Sequence, residues 1–123
     1  MQRDFTYIDD IVEGVVRVID KTAEPEADFD AGASDPATSY VPYRVYNIGN
    51  NEPVQLMEFI ETIENAVGKK AKKNMMGMQN GDEVATYANI DALIDAVGFK
   101  PATPLKDGIQ RFVDWYEEYH AYK

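Results

Sequence analysis

The chain has 123 residues, 45% of them apolar and none of them cysteine, so it suits one globular domain and offers no disulfide framework or thiolate metal site. The 22 acidic and 12 basic residues give a formal net charge of -10, and a field of that sign repels a phosphate backbone. We therefore expect no nucleic-acid partner. Without a long apolar run or a signal-like start, the sequence also predicts no membrane partner and favours a cytoplasmic location.

The first part of the chain predicts one helix, an acidic loop and a strand. Apolar residues at helical spacing predict a helix over 10–21, with Asp10 and Glu13 as a capping box at its start. Residues 22–42 are acidic, contain prolines and have no periodicity, so they predict a loop. It could be a solvated surface excursion, a functional or partner-facing segment, or a disordered one. The alternation of bulky and polar residues in 43–48 (YRVYNI) predicts a strand.

The second part predicts three more helices and a possible strand. A helix over 55–67 is ended by Gly68, and a short helix after Asn89 is ended by Gly98, both glycines acting as left-handed caps. Residues 70–76 could form a short strand. The last helix is expected to begin at Thr103-Pro104, with Thr103 as its N-cap. Its buried stripe is expected to comprise Leu105, Ile109, Phe112, Val113 and Tyr116, widened by Trp115 and Tyr119.

One loop is typical of a ligand site by its own residues. Gln79-Asn80-Gly81-Asp82 contains a strong turn signal, and Asp82 could accept a hydrogen bond from a sugar hydroxyl, although these are also ordinary turn residues. The lysines within 69–73 are typical of a solvated helix end, and the methionines within 75–78 of packing. With His120 as the single histidine, we expect no metal site.

Four motifs occur in an order that is similar to a known family. They are RDFTYIDDIVEGV from Arg3, PYRVYNIGNNEPV from Pro42, MQNGDEVATYANI from Met78 and GFKPATPLKDGIQRFVDWY from Gly98. Together they resemble the consecutive C-terminal landmarks of the extended short-chain dehydrogenase/reductase family of nucleotide-sugar epimerases and dehydratases. Within it, the likeness is greatest to the UDP-glucuronate 4-epimerases. The resemblance covers essentially the whole chain.

The resemblance implies an α/β fold, or α+β for the isolated chain, with about four helices and two or three short strands. Residues 1–123 would be the C-terminal substrate-binding region, together with the last helix and strand of a Rossmann-type sheet. The N-terminal NAD-binding Rossmann domain would then be absent from this chain. We therefore expect the chain to be the back portion of a longer enzyme.

The activity that the resemblance implies is C4 epimerisation of UDP-glucuronate to UDP-galacturonate through a 4-keto intermediate. Relatives use NAD and a Tyr-x-x-x-Lys pair for this step. The eight glycines here are scattered rather than grouped after a strand, and the string Tyr119 to Lys123 follows the final helix, where the pair does not belong. We expect no catalytic or cofactor-binding residue in this chain, NAD only in the parent enzyme, and no turnover by the chain alone.

The resemblance does imply substrate-binding residues. Arg3 matches the family arginine on the nucleotide diphosphate, a role that suits the hydrogen-bonding fork of a guanidinium. Gln79 and Asp82 match the ends of an Arg-x-Gly-Asp motif, in which the arginine contacts phosphate and the aspartate contacts ribose. The glutamine at position 79, where other relatives have arginine, resembles the residue found in the UDP-glucuronate subgroup. Asp10 as a helix cap and Asn47 as a strand end are expected to be structural.

The expected partner is a UDP-sugar, bound weakly or undetectably by the isolated chain. Apolar stripes that would cover strands of another lobe are expected to be exposed, so the chain should self-associate or exchange elements between copies. An alternative reading is a free-standing acidic interaction module derived from this fold, with nucleotide binding lost and residues 22–42 as its contact surface.

Overall fold

The computed structural model describes residues 1–120, which form four helices and three short strands. In chain order they are β1 (Gln2–Asp4), α1 (Ile8–Ile19), β2 (Pro53–Gln55), α2 (Leu56–Val67), β3 (Ala85–Thr86), α3 (Asp91–Val97) and α4 (Leu105–His120). This inventory confirms the expected α/β class and the number of elements. Among these described helices, none is long and apolar enough to cross a membrane.

The three strands form one small mixed sheet with β1 in the centre. β2 pairs with β1 in antiparallel orientation, with Arg3 opposite Val54, and β3 pairs in parallel, with Arg3 opposite Thr86. Both ladders are short, and Pro53, which lies opposite Asp4, has no N–H to donate. At the end of the sheet that contains Asp4 and Pro53, the strands must therefore be joined by hydrogen bonds from outside the ladders.

The helices pack in two pairs, α2 with α4 and α1 with α3. The best buried apolar side chains are Ile90, Leu93 and Val113. Phe5, just after β1, stacks on Phe59 of α2 with ring centroids 3.8 Å apart. The core is therefore small and is divided between the two helix pairs.

Two of the predicted helix ends are confirmed. Gly68 and Gly98 end α2 and α3 with φ of 71° and 63°, the left-handed conformation that glycine adopts without a Cβ penalty. Asn89 helps to start α3, because its Oδ1 accepts a hydrogen bond from the Asp91 N–H at 3.0 Å. These ends are local chain properties, which is why the sequence predicts them.

The predicted caps of α1 and α4 are wrong. The N-cap of α1 is Tyr7, without a side-chain cap, and Asp10 lies inside the first turn. The Asp10 Oδ2 atom instead accepts from the Thr103 N–H at 2.9 Å, and α4 begins only at Leu105. Asp10 is structural as expected, but it joins two segments rather than capping its own helix.

The strands predicted at 43–48 and 70–76 are not formed. A strand needs a neighbouring backbone as well as an alternating sequence, and no strand among residues 1–120 pairs with either segment. The Val45 N–H donates instead to the Ala37 carbonyl at 3.0 Å. Sequence alternation therefore identified a segment with strand character but not its pairing.

The acidic segment 22–42 is irregular, as predicted, and its acidic side chains stabilise its own turns. Asp30 accepts from the Gly32 N–H at 2.8 Å, and Asp35 accepts from the Ala37 N–H at 2.9 Å. These bonds favour the reading of 22–42 as a folded surface excursion.

Two helices expose apolar faces. On α1 the exposed residues are Ile8, Val12, Val15, Val16 and Ile19. On α4 they are Phe112, Trp115, Tyr116 and Tyr119, so the predicted burial of these four side chains is wrong. Among the described elements, the main packing partner of α1 is α3 and that of α4 is α2.

The lysine-rich segment after α2 is held by one buried carboxylate rather than simply being solvated. Glu64 is 5% exposed and accepts from Lys70 Nζ at 2.7 Å, Lys73 Nζ at 2.6 Å and the Ala71 N–H at 3.0 Å. The hydrogen bonds from the two ammonium groups lower the pKa of Glu64 from 4.5 to about 2. The same contact raises the pKa of Lys70.

The Glu64 contacts predict an acid-sensitive contribution to stability. A carboxyl whose pKa is depressed by folding stabilises the fold above its unfolded pKa of 4.5, and this contribution is lost as the pH falls toward about 2. The free energy of unfolding of Glu64→Gln should therefore lie below that of the unsubstituted chain at pH 6, and the gap should narrow toward pH 2. Urea unfolding followed by circular dichroism measures it. Glu58→Gln, an exposed glutamate on α2, is the control, and a pH-independent gap for Glu64→Gln would contradict the assignment.

Candidate functional site

The side chain of Arg3, in the central strand, is bonded to the residue that directly follows the turn of Gln79 and Asp82. The Arg3 Nη1 atom donates to the Glu83 carbonyl at 2.8 Å and to the Gln2 carbonyl at 2.9 Å. Because both bonds use Nη1, neither occupies Nη2 or Nε. The structure thus fixes a half-buried guanidinium next to the residue that follows Asp82.

The segment Gln79–Asp82 is a closed turn, as its sequence predicts. The Asp82 N–H donates to the Gln79 carbonyl at 3.1 Å, and the Gln79 N–H donates to Asp82 Oδ2 at 3.2 Å. Gly81 has a φ of 96°, which favours glycine. Both Gln79 and Asp82 are exposed. The turn bond of Asp82 uses only Oδ2, and a carboxylate oxygen can accept from more than one donor.

Asp4 is a feature of this region that the sequence reasoning missed. Its Oδ2 atom accepts from the Asn51 N–H at 3.0 Å and from the Ala88 N–H at 3.3 Å. Its Oδ1 atom is buried and has no hydrogen-bond partner among residues 1–120. No local sequence signal marks this role, because the two backbone donors lie 47 and 84 residues away along the chain.

The turn after residue 48 fits closely around this carboxylate. A Cβ atom on Gly49 would lie 2.7 Å from both Asp4 Oδ2 and the Ala88 Cβ. The buried Asn50 donates its N–H to Thr6 Oγ1 at 3.1 Å. The prediction that Asn47 ends a strand is wrong, and its Nδ2 donates instead to the Asn89 carbonyl at 3.3 Å.

Two cavities lie near these residues. A cleft of about 710 Å³ opens between residues 5–8, α2 and α4, with Phe5, Phe59 and Phe112 among its walls. A smaller pocket of about 370 Å³ is lined by polar residues that include Asp4. Neither cavity is lined by Arg3, Gln79 or Asp82. The larger of these two cavities is therefore mainly apolar and separate from the candidate polar site.

The chain is similar in sequence to known proteins. No family model matches the chain. Protein CapI of Staphylococcus aureus is 55% identical over 120 residues, which are 98% of this chain and 36% of that protein. A probable UDP-glucuronate 4-epimerase of Rhizobium meliloti is 44% identical over 124 residues, covering 96% of this chain and 35% of that protein. The chain spans about a third of the length of these curated relatives.

Solved structures share the fold. The UDP-glucuronic acid 4-epimerase of Bacillus cereus, in complex with UDP-glucuronic acid and NAD, superposes with a TM-score of 0.69 at 27% identity, covering 94% of this chain and 32% of that one. The UDP-glucose 4-epimerase of Bifidobacterium longum, in complex with NAD+ and UDP, gives a TM-score of 0.69 at 23% identity over 94% of this chain and 30% of its own, and shows the fold alone.

The fold is thus part of the α/β fold of short-chain dehydrogenase/reductase-type sugar-nucleotide epimerases. Sequence likeness then narrows the class. Over almost its whole length the chain is similar to UDP-glucuronate 4-epimerases, and it corresponds to a C-terminal portion of such proteins.

The described residues do not fit NAD, which several structural relatives bind. A dinucleotide site needs a glycine-rich turn between a strand and a helix N-terminus. Among residues 1–120, the connections that lead from a strand into a helix are 5–7 and 87–90, and β2 runs directly into α2, so no strand-to-helix connection contains glycine. That part of the chain also holds no group of three or more histidine, cysteine, aspartate or glutamate side chains placed to bind a metal ion. The prediction that the Tyr-x-x-x-Lys string follows the final helix is wrong for Tyr119, which lies within α4, while Lys123 lies outside the described residues.

The space at Gly49 predicts the effect of one added methyl group. Gly49→Ala should lower the free energy of unfolding by roughly 1–3 kcal/mol, because the new Cβ would overlap the Asp4 carboxylate and Ala88. Gly77→Ala is the matched control, since nothing lies within 4 Å of its Cβ. Urea denaturation compares the two, and equal stability of both variants would mean that the turn does not pack on Asp4.

Proposed function

We propose that the chain supplies nucleotide contacts in a UDP-sugar epimerase that acts on UDP-glucuronate. Arg3 donates hydrogen bonds to the diphosphate, Asp82 accepts one from a ribose hydroxyl, and Gln79 adds a neutral amide contact. The observation that carries this proposal is the bond from Arg3 Nη1 to the Glu83 carbonyl, which fixes the guanidinium beside the 79–82 turn.

The electrostatics of the chain support a role for Arg3. A net charge of -10 disfavours an anionic ligand at long range, so binding must rest on donors close to the phosphates. A guanidinium is suited to this because it stays charged and can donate paired hydrogen bonds. Gln79 contributes no charge, which leaves Arg3 as the cation of the proposed site.

The chemical step of the proposed reaction requires groups that residues 1–120 do not provide. No cofactor turn lies among them, and the relatives whose names specify epimerisation are about three to four times as long. We therefore expect no turnover by the chain alone, and only weak UDP binding, because part of a site loses favourable contacts while ordering costs remain.

Substitution of Arg3 tests the proposed phosphate contact. In a ¹⁵N NMR titration, millimolar UDP should shift the amide signals of residues 3 and 82. Arg3→Ala should weaken that response about tenfold or more, since a hydrogen bond to a charged group is worth roughly 1.5–3 kcal/mol. Arg44→Ala removes an exposed arginine as the matched control.

Two results would count against the proposal. One is the absence of any shift at millimolar UDP, and the other is equal binding by Arg3→Ala and Arg44→Ala.

We also propose that a second copy of the chain covers the apolar face of α1. This face has Val12 and Val16 about half exposed, at 51% and 52%, on a helix whose partner in the chain is α3. An exposed apolar face of this kind favours association.

Self-association through α1 predicts a concentration-dependent mass. Sedimentation equilibrium should give a weight-average mass above the 13.9 kDa of one chain, and Val12→Lys should lower it by placing a charge in the contact. Asn65→Lys adds the same charge at an exposed position of α2 and should leave the mass unchanged. A monodisperse monomer at high concentration would rule the contact out.

A further inference from the structure

Asp4 lies where both ladders of the sheet end. On one side it is paired with Pro53, which has no N–H, and on the other side the register with β3 stops at Arg3 and Thr86. Beyond these ends, a single oxygen of Asp4 accepts from Asn51, which precedes β2, and from Ala88, which follows β3. One carboxylate oxygen thus joins all three strands.

The position of the Arg3 side chain depends on the pairing of β1 with β3, which Asp4 Oδ2 extends. Successive residues of a strand point to opposite faces, so Asp4 lies across the sheet from its neighbour Arg3. Arg3 reaches the Glu83 carbonyl only if β1 and β3 keep their register, and that parallel register comprises two residue pairs. The Gln2 N–H adds one bond to the Val84 carbonyl at 2.9 Å. The contact of Asp4 with Ala88 lies at the other end of this short pairing.

The local packing is arranged around the carboxylate. Because Gly49 has no Cβ atom, the turn at 49–51 can approach the Asp4 carboxylate closely. A Cβ atom there would overlap Oδ2. The buried Oδ1 atom has no partner among the described residues, and such an atom carries a free-energy cost. Burial of the Asp4 side chain therefore has a free-energy cost, and its Oδ2 atom accepts hydrogen bonds from backbone N–H groups on opposite sides of β1.

We infer that Asp4 is a positioning residue for the nucleotide diphosphate site. By joining β1 to the segments after β3 and before β2, it sets the register that places the Arg3 guanidinium beside the turn of Asp82. Asp4 itself touches no ligand in this arrangement. The inference rests on the proposed function, which assigns the diphosphate to Arg3.

Asp4→Ala and Asp4→Asn test the positioning step in the chain as it stands. Asp4→Ala removes both accepted bonds, so the Gln2 amide should exchange with solvent at least tenfold faster and the contact between Arg3 and Glu83 should disappear from NOE spectra. Asp4→Asn keeps an acceptor oxygen and should preserve both signals. Asp35→Ala, which removes another backbone-bonding carboxylate far along the chain, should preserve them too. Unchanged exchange at Gln2 and an intact Arg3–Glu83 contact in Asp4→Ala would overturn the inference.

A double-substitution cycle then separates positioning from general stability. Asp4→Ala should weaken UDP binding about tenfold in the ¹⁵N titration, whereas in an Arg3→Ala background it should cause no further loss, because the group that it positions is gone. Asp4→Asn should bind within about twofold of the unsubstituted chain, since its amide oxygen can accept the same bonds. An equal additional loss in the Arg3→Ala background would mean that Asp4 acts only on stability, and would overturn the inference.

The proposed function and this inference fail in different ways. If the unsubstituted chain shows no response to UDP, the diphosphate assignment fails, while the exchange rate of Gln2 still decides whether Asp4 sets the register. If Arg3→Ala weakens binding and Asp4→Ala does not, the diphosphate assignment stands and Asp4 is not a positioning residue.

Discussion

The arrangement of this chain depends on backbone hydrogen bonding at the end of a very small sheet. β1 is the central strand and supplies all the pairing, yet each ladder is only two or three residues long. Asp4 extends this pairing with its side chain. Since β2 continues directly into α2, and β1 reaches α1 through residues 5–7, the sheet also sets where two helices begin. The strands that Asp4 joins are thus the ones that lead into α1, α2 and α3.

The sequence predicts those features that are set within one segment. The ends of α2 and α3 follow from Gly68 and Gly98, and the turn at 79–82 follows from Asn-Gly, because each reflects a local backbone preference. The strand expected at 43–48 and the capping role expected for Asp10 fail for the opposite reason. Pairing and side-chain partners depend on segments far away in the chain, such as Thr103 for Asp10.

The candidate site shows the same division. Resemblance to a family led to Arg3, Gln79 and Asp82, and the structure brings the first beside the turn that holds the other two. Periodicity and composition could not identify Asp4, because its role appears only when three separate segments converge on one oxygen. The apolar cleft of about 710 Å³ is not lined by any of these polar residues.

The buried Glu64 has a consequence for the entropy of the 79–82 turn. The irregular connection from α2 to β3 runs over residues 68–84, and the bonds of Glu64 to Lys70 and Lys73 fasten its first part to the helix. Only residues 74–78 then separate the fastened part from Gln79. A shorter free span has less conformational freedom to lose when the turn is held in place. An ion pair that takes no part in ligand contact thereby reduces the ordering cost of a surface that we assign to ligand binding.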